Sequence, residues 1–435
     1  MSNKNLKRIK IQSVDNNFER EALIRPFGFK GGFVTELWQA ASFLESASGI
    51  KKVGLSTQST LWSDPSVYTS HSECGGNALM YALTEFALQL VQGQTYQDPI
   101  ELQNQIFEEV YQYGIKITGN PALRKTFILN ALVSLDNAAW MLYAAENGIT
   151  SFDNMIPEKY RSALSQHHNK IAGIPLISYT NPVSEIVRIA DSACFFLKIK
   201  IGQPGTQAQM LSKDMERISI IHTAIGHYST PETATGKLLY YFDANGRYAK
   251  KDTLMKLIDH IKKIGAFDQT VIIEEPFPED AQIDVSDIPL RIAADESAHT
   301  DKDVLERIQM GYKAIALKAV AKTLSMTMGM AKAAKEHHIP CFCADLTANP
   351  ILVDWNKNVA ARLDPFPGLT TGLLESNGHQ NYKNWSIMES YHPYPNAGWS
   401  KVKNGIFNLN KNFYDKSGGV LSDSQHYMGL FSKAR

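Results

Sequence analysis

Two lysines stand in a segment that otherwise has the composition of a buried β-strand. Residues 195–201 read Phe-Phe-Leu-Lys-Ile-Lys-Ile, and Gly202 ends the segment. Side chains alternate between the two faces of a strand, so Lys198 and Lys200 share one face. Since a lysine is almost never buried without a partner, the sequence predicts anionic groups opposite this pair.

Charged residues also end four apolar segments further along the chain. They are Asp243, Glu274, Asp295 and Lys318. The carboxyl ends of the strands of a parallel α/β barrel gather at one face, so we expect these side chains near the two lysines. Three carboxylates this close repel one another unless a cation holds them. Oxygen ligands favour a hard divalent ion such as Mg²⁺, which the lysines would flank rather than bind.

Lysines beside a metal ion point to proton abstraction next to a carboxylate. A neighbouring ammonium and a bound metal both lower the pKa of a lysine. A lysine tuned toward a pKa of about 7–8 can act as a general base. The reaction that needs such a base is removal of a weakly acidic α-proton from a carboxylate substrate, with the metal stabilising the enediolate that forms.

The elements that must position these residues alternate between strands and helices after Pro175. Strand-like segments are predicted at 174–179, 195–201, 238–243, 270–275, 290–295, 314–319, 339–344 and about 369–375, and helices at 252–264, 301–309, 323–337 and 351–363. Eight strands with helical crossovers predict a parallel α/β barrel. A doubly wound sheet has the same periodicity, but its glycine-rich phosphate-binding motifs are absent from the sequence.

The first part of the chain differs from this pattern and predicts a small α+β domain. Residues 1–65 have strand character, whereas 77–91, 99–111 and 123–144 have helical periodicity. We expect loops at 25–32, a candidate lid, and at 61–76. The predicted domains are an α+β capping domain (1–135), a catalytic barrel (136–375) and a C-terminal segment (376–435), in which 401–408 could form an edge strand.

Composition narrows the function classes. The 435 residues carry 44 basic and 44 acidic side chains, and this zero net charge argues against nucleic acid or an anionic membrane as the main partner. No signal peptide and no run of about 18 apolar residues is evident, so we expect a cytoplasmic protein. The expected partner is a small-molecule carboxylate substrate, and a homo-oligomer is compatible with such a barrel.

Five motifs in order carry a resemblance to a known family. They are Lys198-Ile-Lys200, Asp243-Ala-Asn245, Glu274-Glu-Pro276, Asp295-Glu-Ser297 and Lys318. The set resembles the enolase superfamily, in which a Lys or His base works beside Mg²⁺. It is most similar to the muconate-lactonizing subgroup, which includes dipeptide epimerases. The resemblance implies a TIM-type barrel, an N-terminal α+β capping domain and a C-terminal segment that returns to the cap.

The resemblance also implies residue roles. Asp243, Glu274 and Asp295 correspond to the magnesium ligands. Lys200 corresponds to the base on one face of the substrate, with Lys198 tuning it, and Lys318 to the acid/base on the opposite face. A lysine on each face implies a racemase or epimerase. The alternatives are an acid-sugar dehydratase (a lyase) or a cycloisomerase on the same site, or a catalytically silent binding scaffold.

Other positions bear on the substrate. The mandelate-racemase subgroup has a histidine on the seventh strand, where this chain has Cys341-Phe-Cys343. The Asp-x-Asp pair of dipeptide epimerases is missing near the eighth strand, where Glu375, or Asp345 after strand seven, could replace it. Further candidate substrate or supporting residues are Asn245, Phe27 and Lys30. Glu275 and Glu296 have the opposite parity to the metal ligands and are expected in salt bridges outside the ligand set.

Overall fold

The computed structural model describes residues 6–432. The capping domain is a four-stranded antiparallel sheet in the order β3-β2-β1-β4, covered by helices. Its elements are β1 (Ile9–Phe29), β2 (Gly32–Ser46), β3 (Lys51–Gln58), β4 (Thr95–Tyr96), α1 (Thr60–Ser63), α2 (Pro65–Val91), α3 (Pro99–Thr118) and α4 (Lys125–Glu146).

The long hairpin of β1 and β2 replaces the loop predicted at 25–32, so that prediction is wrong. The strands pair antiparallel out to the tip, where Phe27 faces Val34 and Phe29 faces Gly32. Lys30 and Gly31 make the turn, and both have positive φ angles. Cross-strand hydrogen bonding therefore holds the aromatic tip in place, although its glycines are typical of a loop.

The loop predicted at 61–76 is also wrong, because this segment is helical. Asp64 caps α2 by accepting hydrogen bonds from the backbone N–H groups of Ser66 and Val67, and Pro65 occupies the first helical turn. A kink at Ser72, where φ is 65°, divides the helix. Capping outweighs the weak helix propensity of this Ser- and Thr-rich stretch.

The barrel domain is a closed ring of eight parallel strand positions. The strands are β5 (Lys170–Ile174) with its continuation β6 (Leu176–Ile177), β7 (Phe196–Lys200), β8 (Leu239–Asp243), β9 (Thr270–Glu274), β10 (Ile292–Ala294), β11 (Ala314–Leu317), β12 (Cys341–Cys343) and β13 (Leu373–Glu375). Each strand pairs with the next, and β13 pairs with β5 to close the ring. The predicted barrel is confirmed, and the doubly wound alternative is excluded.

Helices surround the ring and complete the α/β alternation. They are α5 (Phe152–Met155), α6 (Val183–Asp191), α7 (Gln207–Ile225), α8 (Lys251–Lys263), α9 (Asp301–Gln309), α10 (Ala319–Lys322), α11 (Leu324–Glu336) and α12 (Pro350–Ala360). Inside the ring lie small and aromatic side chains, among them Ala293, Ala316, Phe196, Tyr241 and Phe342, all buried. The interior below the strand ends is therefore a packed core.

The C-terminal segment contacts both domains. It contains α13 (Gly378–Asn381), α14 (Trp385–Ser390), β14 (Val402–Lys403), β15 (Ile406–Asn408), α15 (Lys411–Lys416) and α16 (Gln425–Gly429). The β14/β15 hairpin adds to β5 of the barrel in antiparallel pairing. Toward the cap, Gln39 donates a hydrogen bond to the Tyr382 hydroxyl, and Lys52 pairs with Asp423 at 2.9 Å.

Helix α4 joins the two domains and extends on both sides of the domain boundary predicted after residue 135. It is long and apolar enough to cross a membrane by length and composition. Its most apolar stretch of 18 residues is fully buried inside the protein. Such burial is typical of a core helix in a protein that does not cross a membrane. It packs on β3 so closely that a Cβ on Gly54 would lie 2.1 Å from the carbonyl oxygen of Ser134.

We predict that Gly54→Ala lowers the free energy of unfolding by about 3 kcal/mol or more, because two backbone segments would have to separate. Urea denaturation measures the loss. Gly398→Ala is the matched control, since a Cβ there meets no atom within 4 Å. Equal stability of the two variants would contradict the close contact between β3 and α4.

Candidate active site

The strand ends bring all six predicted charged residues into one buried cluster. Lys198, Lys200, Asp243, Glu274, Asp295 and Lys318 are each at most 7% exposed. Lys198 and Lys200 share one face of β7, as strand alternation predicted. Lys318 directly follows β11, which lies four positions from β7 in the ring of eight. Lys200 and Lys318 therefore approach the cluster from opposite sides of the barrel.

Lys198 lies at the centre of the cluster. Its ammonium is 2.9 Å from Asp243, 3.3 Å from Glu274 and 3.0 Å from Glu375. Burial alone would lower the pKa of Lys198, but these carboxylates outweigh it and hold the pKa well above its ordinary value. In this structure Lys198 is a cation that bridges two of the predicted metal ligands.

Lys200 is held by the last residue of β8 and by a residue of the turn that follows it. Its ammonium lies 2.5 Å from Asp243 Oδ2 and donates a hydrogen bond of 2.7 Å to the amide oxygen of Asn245. Asn245 has a positive φ of 45°, and its amide nitrogen donates to Glu296 Oε1 at 2.9 Å. Asn245 thus fixes the position of Lys200 and links it to Glu296.

Asp295 binds two lysines. Lys318 contacts one carboxylate oxygen at 2.6 Å, and Lys322 of α10 contacts the other at 3.0 Å. Lys322 also donates to the backbone carbonyl of Asp295 at 2.6 Å. Burial opposes ionisation of Asp295, but the two ammonium groups lower its pKa well below the usual range. Lys322 is fully buried, and the sequence reasoning missed it.

Glu274, Asp295 and Glu296 form a group that could hold a metal ion, because each offers an oxygen within 4.8 Å of the others. Burial raises the pKa of Glu274 to about 8 although Lys198 is near, and the charges of Asp295 and Glu296 add to the effect. Glu296 Oε2 is buried without a hydrogen-bond partner among the described residues. These three carboxylates are therefore crowded even though lysines contact each of them.

The formal charge of the cluster fits a divalent cation. Seven buried carboxylates, at Asp243, Glu274, Glu275, Asp295, Glu296, Asp345 and Glu375, surround five buried ammonium groups, at Lys30, Lys198, Lys200, Lys318 and Lys322. With all seven carboxylates ionised, two negative charges remain, which a divalent cation would balance, and an all-oxygen donor set suits Mg²⁺. Asp243, Glu274 and Asp295 remain the predicted metal ligands. Glu296, which was expected outside this ligand set, has a carboxylate oxygen close to those of Glu274 and Asp295.

Glu275 has a backbone role instead. Its φ is 41°, and one carboxylate oxygen accepts hydrogen bonds from the backbone N–H groups of Asp295 and Ser297 and from the Ser297 hydroxyl. This carboxylate ties the end of β9 to the end of β10 and so sets the spacing between Glu274 and Asp295.

Glu375 and Asp345 are buried next to each other, and both bind protein groups. Glu375 accepts from Lys198, from the backbone N–H of Asp345 and from the Asn377 amide. Asp345 accepts from the backbone N–H groups of Leu346, Ala348 and Asn377. Burial and the neighbouring Glu375 raise the pKa of Asp345 to about 7. Both carboxylates brace the ends of β12 and β13.

The cap closes the site from above. Phe27 lines the cavity over the cluster, and Phe29 lies 5.9 Å from the Lys200 ammonium. Lys30 reaches between the domains, donating to the carbonyl of Trp62 at 2.7 Å and pairing with Glu296 at 3.2 Å. The ring of Trp62 lies 4.3 Å from the Lys318 ammonium. Each of the two opposed lysines therefore has an aromatic neighbour from the cap.

A family match and similar solved structures place this architecture among known proteins. Residues 183–369 match the family described as enolase C-terminal domain-like. No curated protein matches the chain. Similar solved structures include an N-succinyl Arg/Lys racemase from Bacillus cereus ATCC 14579, with a TM-score of 0.64 and 14% identity over 92% of this chain and 93% of that one. The resemblance to the enolase superfamily is confirmed.

Two further structures are similar to most of the chain. A dipeptide epimerase from Enterococcus faecalis V583, solved with Mg and the dipeptide L-Leu-L-Tyr, covers 84% of this chain and 90% of its own at 16% identity and a TM-score of 0.59. A muconate lactonizing enzyme from Mycobacterium smegmatis, solved with muconolactone, covers 92% and 94% at 12% identity and a TM-score of 0.61. At these identities the likeness establishes the fold alone.

We predict that Glu274→Gln weakens Mg²⁺ binding at least about tenfold, since one negative charge leaves the cluster. Isothermal titration calorimetry with MgCl₂ measures the change. Glu306→Gln, on the exposed side of α9, is the control and should bind as the parent does. Identical affinities for the parent and Glu274→Gln would remove Glu274 from the ligand set.

Proposed function

We propose that this protein, with its enolase-like barrel, removes and returns an α-proton of a carboxylate substrate as a racemase or epimerase. The observation that supports this most is the placement of Lys200 and Lys318 on opposite sides of one buried carboxylate cluster. Two basic side chains that face each other can act on the two faces of a carbon atom between them.

Lys200 and Lys318 are sufficient for both proton transfers of this reaction. One lysine, in its neutral amine form, accepts the α-proton from one face and becomes an ammonium, and the electron pair left on the α-carbon delocalises into the substrate carboxylate as an enediolate. The other lysine donates its proton to the opposite face, which inverts the configuration. Asn245 and Asp295 position the two ammonium groups by direct contacts of 2.7 and 2.6 Å.

A divalent ion held by Asp243, Glu274 and Asp295 would supply positive charge at the substrate carboxylate and stabilise the enediolate. The protein contributes water exclusion as well, because the lysines and the carboxylates around them are buried. Exclusion of water strengthens each charge interaction in the site. The same pair of lysines could serve an elimination or a cycloisomerisation, and those reactions differ in their products.

We predict that the protein with Mg²⁺ in D₂O incorporates deuterium at the α-carbon of its substrate in a panel of chiral 2-substituted carboxylates. Lys200→Ala and Lys318→Ala should each stop exchange from one stereochemical face, with at least about a 100-fold loss of that rate. Proton NMR of separate enantiomers measures each face.

Lys313→Ala removes an exposed lysine just before β11 and should exchange like the parent. Normal exchange in both active-site variants would contradict the two-lysine mechanism. A 2-keto product formed with loss of water would identify a dehydratase instead. The absence of both turnover and Mg²⁺ binding would identify a silent scaffold.

A further inference from the structure

The cavity above the lysines has an apolar outer wall. It is lined there by Phe27, Phe29, Val34 and Leu37 of the hairpin and by Leu176 and Leu346 at the ends of barrel strands. An apolar wall gains from burying an apolar group and opposes burial of an unpaired charge. The part of the substrate that points away from the cluster is therefore selected by hydrophobic contact.

The carboxylates beside this wall already accept hydrogen bonds from groups of the protein. Glu375 and Asp345 accept hydrogen bonds on all four of their oxygens, from Lys198, from the Asn377 amide and from backbone N–H groups. A substrate ammonium would have to displace these bonds to form an ion pair. Such an exchange brings no net gain, so the site disfavours a cationic substituent.

Lys30, the lysine at the tip of the β1/β2 hairpin, also binds groups of the protein already. Lys30 has a side chain only 5% exposed, and it binds both the carboxylate of Glu296 and the carbonyl oxygen of Trp62. Releasing it to meet an anionic substituent would leave Glu296 buried with less counter-charge. The site therefore disfavours a second negative charge on the substrate as well.

One hydrogen-bond donor at the cavity wall lacks an acceptor. Trp62 is 4% exposed and lines the cavity, and its indole N–H has no partner among the described residues. A buried donor without an acceptor costs free energy that a ligand oxygen can recover. The ring of Trp62 lies 4.3 Å from the Lys318 ammonium, so Trp62 is next to one of the two lysines proposed to transfer protons.

We propose that the substrate is a carboxylate whose second substituent is uncharged and apolar and carries a neutral acceptor oxygen, to which the indole N–H of Trp62 donates a hydrogen bond. This inference rests on the proposed function for the position of the carboxylate. It assigns Trp62 as a specificity-determining residue, and it distinguishes this site from one built for a free ammonium or a second carboxylate.

The test is binding to the Mg²⁺-loaded protein, measured by calorimetry and by the indole ¹H–¹⁵N signal of Trp62, which is assigned by its loss in Trp62→Phe. The charge probes are N-acetyl-leucine, N-acetyl-lysine and N-acetyl-glutamate. N-acetyl-leucine should bind at least about tenfold more tightly than the other two. Equal or tighter binding of a charged probe, or no binding of N-acetyl-leucine, would overturn the proposal.

A second pair of probes isolates the hydrogen bond. The compounds 2-isobutyl-4-oxopentanoate and 2-isobutylpentanoate differ by one carbonyl group. Trp62→Phe should weaken binding of the ketone up to about tenfold and leave the hydrocarbon analogue unchanged. A merely structural role for Trp62 would weaken both equally, and that result would overturn the assignment.

Deuterium exchange separates this proposal from the proposed function. Exchange into N-acetyl-lysine but not into N-acetyl-leucine would leave the proton chemistry standing and contradict the neutral substituent. Selective, Trp62-dependent binding of N-acetyl-leucine without exchange into any probe would support the neutral substituent and contradict the epimerase activity.

Discussion

The structure depends on pairing between buried ammonium groups and buried carboxylates at one end of the barrel. An isolated charge in a protein interior costs several kcal/mol, so each lysine here requires the carboxylates that contact it. Lys198 alone contacts Asp243, Glu274 and Glu375, which lie on three different strands. With every carboxylate ionised, the pairing leaves two formal negative charges, which a divalent cation would balance.

The capping domain completes this electrostatic arrangement. Lys30 at the hairpin tip pairs with Glu296, and Glu296 accepts from Asn245, which in turn accepts from Lys200. A continuous set of polar contacts therefore links the cap to the β7 lysine. Because the hairpin tip also carries Phe27 and Phe29, the same element that closes the charge network forms the apolar wall of the cavity.

Strand alternation and the position of strand ends were sufficient to predict much of the site. Lys198 and Lys200 could be placed on one face because the period of a strand is two, and the three carboxylates and Lys318 because each follows an apolar run. Six of the eight barrel strands were predicted within two residues of their observed bounds, whereas the starts of the first and the eighth were each four residues off.

The sequence did not predict that Glu296, Lys322 and Trp62 belong to the site. Their positions do not follow from the periodicity of a strand or a helix. Glu296 turns toward the metal ligands in the bend after β10, where strand parity no longer applies. Lys322 reaches Asp295 from a single helical turn, and Trp62 lies in a segment whose composition predicted a loop. Their positions follow from packing between domains, which is invisible in the local sequence.

The central claim is that the carboxylate cluster holds a divalent cation. A crystal grown with Mn²⁺ in place of Mg²⁺ tests it directly, because the anomalous signal of manganese locates the ion. We expect one peak bound by Asp243, Glu274 and Asp295, with the Lys198 ammonium displaced from between Asp243 and Glu274. No manganese peak, and Lys198 still bridging those two carboxylates, would contradict it.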